Sequence, residues 1–344
     1  MPRIQHTTKE NKIKAIIIIT IALAVYITGA IFSVYYFGKK RVRIDATDFD
    51  PTLMDSSIKP QGDMLTGIII PDASDKEGQI KLAIKLYTIA NSNLQNDSRV
   101  AFAVNTNTEV MGVKTGGIRY TIKNGNEFFN GDYFFVPQDG AGMIAKKASP
   151  EYTNYGYRRY YNLSKNIGYE QKAKELSFTT TASGEILFGV DWTDLYFENK
   201  IDIPQEFVQS GVDYKYYNYI WDEDTILEAS VKYENAKGYY EIVVKLDCKN
   251  DKTITDEGKK ALADGAGDKD AVYTSIVETV QIWDNGRYKV FNTLDNWYSP
   301  HIHGLPFSTS SANDYKTTFY YDSYSLNISN YQYAKEFIEY IQNK

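Results

Sequence analysis

Hydrophobic and polar positions follow three patterns along the chain, and the first is an uninterrupted apolar run from Ala15 to Phe37 without a charged side chain. About 20 residues at about 1.5 Å each cross a hydrocarbon core of about 30 Å. Aromatic residues end the run, where rings favour the headgroup region. We therefore predict that residues 15–37 form a single transmembrane helix that remains on the mature protein and binds the lipid bilayer. A cleaved signal peptide is the alternative, because Thr28–Ala30 offers small residues at a cleavage position.

The second pattern has a helical period and follows residues 38–73, which contain three prolines and are predicted to be a stalk. Ser74 and Glu77 have the spacing of a capping box at a helix start. The helix predicted over 75–91 is apolar except for one narrow polar stripe, formed by Lys81, Lys85, Thr88 and Ser92. A helix of this kind is covered on most of its circumference, so we expect a sheet to pack against it. The apolar patch Ile68–Ile70 predicts either an edge strand or a contact between the stalk and the domain.

The third pattern has a period of two, begins at Arg99 and predicts strands with one buried face. Strands are expected over 100–105 and 118–123, and Asn124–Gly125 has the composition of a two-residue hairpin turn. A further strand carries Asn130–Gly131, which predicts either a bulge or the true turn. The register of this hairpin therefore stays open.

The second half of the chain repeats the strand pattern. Hairpins are predicted over 227–246 and 272–293, the second with an Asn-Gly turn at 285–286. A short helix over 255–263 lies between them, followed by a flexible loop at 264–268. The other predicted elements are a strand over 185–190, short helices over 192–198 and after Asp202, a strand over 315–328, and a terminal helix with Ser329 and Gln332 as a capping box.

Successive hairpins flanked by helices predict an α+β fold with antiparallel sheet, in a domain spanning 74–344. Two arrangements fit. One is a single large curved sheet that cups helices, as in the open half-barrels of lipoprotein-carrier proteins. The other is two small α+β domains in tandem, as in nuclear-transport-factor-like or cystatin-like proteins, with a boundary near 191–212. Neither analogy rests on a residue motif.

Charge and composition narrow the location of this domain. Four Lys or Arg residues flank the apolar run on each side, so the positive-inside bias does not choose an orientation. The remainder of the chain is acidic and rich in tyrosine, which is common outside bacterial cells. We expect residues 1–14 to be cytoplasmic and the C-terminal domain to be extracytoplasmic, as in a single-pass membrane protein of bacterial type.

The same composition excludes several classes of function. The net charge is −6 and the sequence isoelectric point is about 5.3, which argues against a nucleic-acid partner. Cys248 is the only cysteine, so no internal disulfide is expected. The chain contains neither a phosphate-binding loop nor a G-x-S-x-G elbow, and we predict no cofactor and no catalytic residue. Tyrosines also cluster around Arg158–Arg159.

Two histidines form the only constellation with metal-binding potential, and it is weak. His301 and His303 would face the same side of a strand, with Asp284, Asp295 or Asp314 as a third ligand. Their neighbours Pro300 and Gly304 suggest a loop instead. The acidic stretch 264–270 could hold calcium, yet it lacks the spacing of a calcium-binding loop.

These observations predict a non-catalytic binding or accessory module at the cell surface, with a protein, glycan or lipid ligand. A carrier that holds a lipid or another apolar ligand on a concave antiparallel sheet is one alternative. An extracytoplasmic hydrolase or metal-dependent enzyme that uses His301 and His303 is the other.

Overall fold

The computed structural model describes a set of residues with gaps: 42–44, 53–110, 113–135, 155–173, 175–180, 186–191, 199–200, 202, 218–301, 308–331, 335, 338–340 and 342–343. The predicted anchor at 15–37, the predicted short helices over 192–198 and after Asp202, and His303 lie outside these residues. No helix among the described residues is both long and apolar enough to cross a membrane.

Strands dominate the described residues. The α-helices are α1 (Lys76–Asn96) and α2 (Asp256–Ala266), and a short 3₁₀-helix spans Ile328–Asn330. Helical backbone is also present at 335, 338–340 and 342. The strands are β1 (Val42–Ile44), β2 (Arg99–Val110), β3 (Val113–Asn124), β4 (Glu127–Phe135), β5 (Tyr155–Asn162), β6 (Ile167–Lys172), β7 (Glu175–Thr180), β8 (Ile186–Asp191), β9 (Asn199–Lys200), β10 (Ile226–Glu234), β11 (Tyr239–Leu246), β12 (Val272–Trp283), β13 (Tyr288–Ser299) and β14 (Thr309–Tyr320).

One large antiparallel sheet organises the fold. Its strand order is β10-β11-β12-β13-β14-β2-β3-β4-β5-β6-β9, so β14 pairs with β2 and joins strands from both sides of residues 191–212. The predicted antiparallel sheet is therefore confirmed, and one large sheet contains strands from both halves of the chain. A small second sheet has the order β1-β8-β7, with β1 and β8 parallel.

The hydrophobic core changes side along this sheet. On the side where α1 packs, here called the α1 side, the apolar core lies over β10–β14 and β2. Strands β3–β6 carry two buried apolar clusters, and the larger of them, here called the second core, lies on the opposite side of the sheet. Strand β2 belongs to both cores, and five consecutive residues are buried because its two faces are both covered: Val100, Ala101, Phe102, Ala103 and Val104.

Helix α1 covers the first core as its sequence predicts. The polar stripe is exposed, whereas Leu82, Leu86 and Ala90 are buried against the sheet. The predicted cap is wrong by one residue: Asp75 accepts a hydrogen bond from the Gly78 N–H at 2.9 Å, and Ser74 instead donates to Asp72. The helix also continues to Asn96, beyond the predicted end.

The second core is covered by the chain after β14. Ile328 and Tyr331 are buried there, and the Tyr331 ring stacks on Tyr120 with centroids 6.1 Å apart. The predicted strand over 315–328 is wrong at both ends, because β14 starts at Thr309 and ends at Tyr320. Ser329 does not cap an α-helix, because it lies within the 3₁₀-helix, whose start is capped by Asn327.

The β3–β4 hairpin turns one residue later than predicted. Asn124 pairs with Glu127, so the loop consists of Gly125 and Asn126. Gly125 has φ of 62° and occupies the first central position, as a type II′ turn requires. Gly131 lies inside β4 and is neither turn nor bulge. The Tyr120 ring covers it, and a β-carbon there would lie 2.3 Å from that ring.

The described part of the predicted stalk, residues 53–73, packs on the domain. Leu65 donates its backbone N–H to Asp284 O at 2.7 Å, and Asn285 Nδ2 donates to Pro60 O at 2.6 Å. Of the two predictions for Ile68–Ile70, contact with the domain is observed. Ile68 packs against the first core, while Ile69 remains 82% exposed.

Candidate functional site

The described member of the predicted histidine pair, His301, lies just after β13 beside two aspartates. Its Nδ1 is 3.5 Å from Asp268 Oδ2, and ligand atoms of Asp268, Asp270 and His301 all lie within 4.8 Å of one another. The acidic stretch predicted as a loop is partly helical, since α2 continues to Ala266 and is capped by Gly267. The aspartates near His301 are therefore the two that follow this cap.

None of the three aspartates predicted as a third ligand of the histidines belongs to the cluster at His301. Asp284 lies in the β12–β13 loop, at the other end of that hairpin from His301, and pairs with Lys59. Asp295 is buried on the α1 side and Asp314 lies on β14, paired in register with Leu294.

Asp295 belongs instead to a buried polar network with Glu278. Tyr219 Oη donates to Asp295 at 2.7 Å, and Asn313 Nδ2 donates to the other carboxylate oxygen at 2.6 Å. Trp221 Nε1 and the Thr293 hydroxyl donate to Glu278. Burial raises the pKa of Glu278 to about 7 and that of Asp295 to about 6, against the opposing effect of these donors.

This network stabilises the packing of the first core. Glu278 and Asp295 are 3% and 2% exposed, and their carboxylate oxygens accept hydrogen bonds from side chains of the same core. Every carboxylate oxygen of the two residues is therefore occupied by a side-chain donor of the protein itself.

A different surface combines charge, aromatic rings and unpaired polar atoms. It is the α1 side of strands β3–β6, here called the polar–aromatic face. The strand register places its polar and aromatic residues in three adjacent rows: Thr121–Asn130–Arg159–Glu170, Arg119–Asp132–Tyr157–Lys172, and Gly117–Phe134–Tyr155. The small buried cluster of Phe128 and Tyr161 lies in the next row on the same side.

Two ion pairs cross this face between neighbouring strands. Arg119 donates to Asp132 at 2.6 Å, and Arg159 donates to Glu170 at 2.7 Å. All four side chains are partly buried. Charges in such a setting are partly desolvated and are therefore held by their partners.

Aromatic rings form the adjacent part of the polar–aromatic face. The rings of Phe134 and Tyr155 stack with centroids 5.4 Å apart, and Tyr157 follows 5.3 Å from Tyr155. The Arg159 guanidinium lies 5.1 Å from the centre of the Tyr157 ring. Burial, with a contribution from Asp132, raises the pKa of Tyr155 to about 12. These rings therefore offer apolar and cation-binding surface beside the ion pairs.

On the α1 side of strands β3–β6, three buried oxygens lack a partner among the described residues: Thr115 Oγ1, Thr121 Oγ1 and Asn130 Oδ1. Thr121 and Asn130 are 1% and 4% exposed and are register partners on β3 and β4. Buried polar atoms are almost always hydrogen-bonded, so oxygens left in this way indicate a place for water or for polar atoms of a ligand.

The sequence contains only part of the signal for this face. The cluster of tyrosines around Arg158–Arg159 is visible, but alternation along β5 divides it. Arg159, Tyr155 and Tyr157 lie on the polar–aromatic face, whereas Arg158 is buried on the opposite side. The partners from β3, β4 and β6 become visible only with the strand register.

Comparisons with known proteins add little to this site. No family model matches the chain, and no curated protein matches it. Among solved structures, a DUF1329 family protein from Desulfovibrio piger is 11% identical, with a TM-score of 0.23, over 74% of this chain and 99% of that one. A LolA superfamily protein from Nitrosomonas europaea is 8% identical, with a TM-score of 0.22, over 73% and 97%. At these TM-scores the likenesses carry no argument about fold or function.

Proposed function

We propose that the protein is a non-catalytic carrier that binds an amphipathic ligand, with an apolar body and a polar head, on the polar–aromatic face. The observation that carries this proposal is the pair of buried, unpartnered oxygens of Thr121 and Asn130 on the same face as the aromatic rings. A hydroxyl or amide of a ligand head would satisfy both oxygens. The rings of Phe134, Tyr155 and Tyr157 would contact the apolar body.

The ion pairs support a polar head of low net charge. Arg119 and Arg159 already have carboxylate partners, so a strongly anionic ligand would have to displace Asp132 or Glu170. Breaking a partly buried ion pair leaves an uncompensated charge and is costly. A head that carries hydroxyl or amide groups needs no such displacement.

We further propose that residues 15–37 anchor this carrier in a membrane with the domain outside the cytoplasm. The uncharged apolar run motivates the anchor, and the acidic, tyrosine-rich composition motivates the location. Protease added to intact cells should remove the domain. Digestion only after lysis would place the domain in the cytoplasm instead.

The binding proposal is tested by titrating the full chain with a fluorescent long-chain monoacylglycerol. We expect saturable binding that Thr121→Val weakens by about five- to tenfold, because the substitution keeps the shape and removes a hydroxyl worth about 1 kcal/mol. Thr279→Val is the matched control, because Thr279 lies on the opposite side of the sheet in β12. Absence of binding, or an equal loss in both variants, would overturn the proposal.

A further inference from the structure

Two separate chain segments bring three metal-ligating side chains together at one edge of the domain. Asp268 and Asp270 follow the cap of α2, and His301 follows the end of β13. Their ligand atoms lie within 4.8 Å of one another. Asp270 and His301 are exposed, so an ion could enter from solvent and keep bound water.

The separation of the donor atoms fits a shared ion better than a direct hydrogen bond. His301 Nδ1 and Asp268 Oδ2 are 3.5 Å apart, whereas N–H···O hydrogen bonds measure about 2.7–3.2 Å. Two ligands that are each about 2.0–2.1 Å from a tetrahedral ion are about 3.3 Å from one another. The observed distance therefore suits two ligands of one ion, and the Asp270 ligand atom lies within 4.8 Å of both. Because Asp268 Oδ2 already accepts two hydrogen bonds, an ion bound there would replace the one from the Ser299 hydroxyl, which has His301 O as an alternative acceptor.

Asp268 is oriented before any ion binds. Its Oδ2 accepts hydrogen bonds from the Ser299 hydroxyl at 2.6 Å and from the His301 N–H at 3.0 Å, and its Oδ1 accepts from the Asp270 N–H at 3.0 Å. The Ser299 hydroxyl and the Asp270 N–H hold the pKa of Asp268 below its usual value. Hydrogen bonds that orient a ligand raise its readiness to bind metal.

The donor set selects a class of ion. One imidazole and two carboxylates suit zinc and neighbouring divalent transition metals, whereas calcium takes six to eight oxygen ligands. Three protein ligands with an open position are typical of sites that retain a water molecule.

We propose that Asp268, Asp270 and His301 bind one divalent transition-metal ion of the zinc class. The ion joins the loop after α2 to the end of β13, where the pairing of β12 with β13 and the hydrogen bonds of Asp268 already bring the two segments together. Both hydrophobic cores form from apolar residues elsewhere, so the ion adjusts this edge and is not required for folding.

Calorimetric titration of the metal-free full chain with Zn²⁺ tests this site. We expect one ion per chain, with His301→Gln and Asp270→Asn each weakening binding by about tenfold or more. Co²⁺ should give the visible absorption of a four- or five-coordinate ion in the wild type and lose it in His301→Gln. Asp268→Asn is a poor probe, because it also disturbs the bonds to Ser299.

Two control variants keep the result interpretable. Asp264→Asn removes an exposed carboxylate of α2 that is outside the cluster, and His6→Gln removes a histidine far away in the sequence. Neither should change the affinity. Absence of stoichiometric binding by the wild type, or unchanged binding in His301→Gln, would overturn the proposal, the second because other residues would then hold the ion.

Discussion

Strands β10–β14 bury their apolar residues on the α1 side of the sheet, whereas strands β3–β6 bury most of theirs on the opposite side. The first region is covered by a helix whose apolar surface is continuous around all but one stripe. The second is covered by the chain after β14, through Ile328 and Tyr331. A single sheet can therefore carry two cores on different sides when one strand, β2, is buried on both of its faces.

The two regions differ on the α1 side of the sheet in a way that bears on ligand binding. Over β10–β14 this side is filled by the first core. Each carboxylate oxygen of its polar members Glu278 and Asp295 accepts a hydrogen bond, and Asn313 Oδ1 is left without a partner among the described residues. Over β3–β6 the same side carries ion pairs, rings and the unpartnered oxygens of Thr121 and Asn130. On this side the first region is thus a covered apolar core. The second region has the composition of a binding surface next to the small buried cluster of Phe128 and Tyr161.

The variants with the largest expected effect on stability test whether the two cores unfold together. Leu86 and Phe129 are both 0% exposed, one in each core. Truncating either to alanine should lower the free energy of unfolding by about 3 kcal/mol. Because β2 belongs to both cores, each variant should shift one shared transition, monitored by tryptophan fluorescence and by far-UV circular dichroism.

Tryptophan fluorescence makes this test informative about the boundary between the cores. Three of the four tryptophans, Trp221, Trp283 and Trp297, lie with β10–β14. The fourth, Trp192, lies outside the described residues and is replaced by phenylalanine in every protein compared, so that fluorescence reports on the first region. If Phe129→Ala shifts the dichroism transition and leaves the fluorescence transition in place, the two regions unfold independently. Leu294→Ala is the control, because this side chain is 45% exposed and should change stability by less than about 0.5 kcal/mol.

The buried carboxyl of Glu278 gives the first region a dependence on pH. Its pKa is raised to about 7 in the folded protein, so the folded state retains a proton that the unfolded state loses above about pH 4.5. The stability contribution is fully present below that pH and is lost as pH rises through about 7. The loss amounts to roughly 3 kcal/mol, from about 1.36 kcal/mol for each unit of pKa.

Urea denaturation at several pH values between 4 and 8 checks this sign. Wild-type stability should fall as pH rises, and Glu278→Gln should flatten much of that slope, with a remainder from Asp295. Glu228→Gln, an exposed carboxyl on the other side of β10, should leave the slope unchanged. A wild-type protein that gains stability from pH 5 to 7 would contradict a buried, protonated Glu278.

Local features of the sequence predicted much of the first region and little of the second. The hairpins of β10–β13 and the exposed stripe of α1 depend on neighbouring residues, so their patterns are visible in the sequence. The change of core side is not, because Val100–Val104 reads as ordinary alternation of large and small apolar residues. Only the pairing of Ala103 with Tyr120 shows that the small residues are covered as well.

The two candidate sites also depend on contacts between residues that are far apart in the sequence. Asp268 and His301 are 33 positions apart and meet only because the β12–β13 hairpin returns the chain to the end of α2. The polar–aromatic face draws residues from four strands, and a shift of register by one residue would move each of them to the other side. Non-local pairing decides both sites, which is why spacing in the sequence could not.

The smallest test concerns the start of α1, where sequence and structure name different caps. Asp75→Ala should lower stability by about 1 kcal/mol, because it removes the acceptor of the Gly78 N–H. Ser74→Ala is the matched control and should lower stability by only a few tenths of the effect of Asp75→Ala. Since α1 covers the first core, hydrogen exchange in Asp75→Ala should rise in β10 and β11 before it rises in β4 and β5. An equal cost for Ser74→Ala would restore the capping box predicted from the sequence, and equal exchange in both regions would remove the distinction between the two cores.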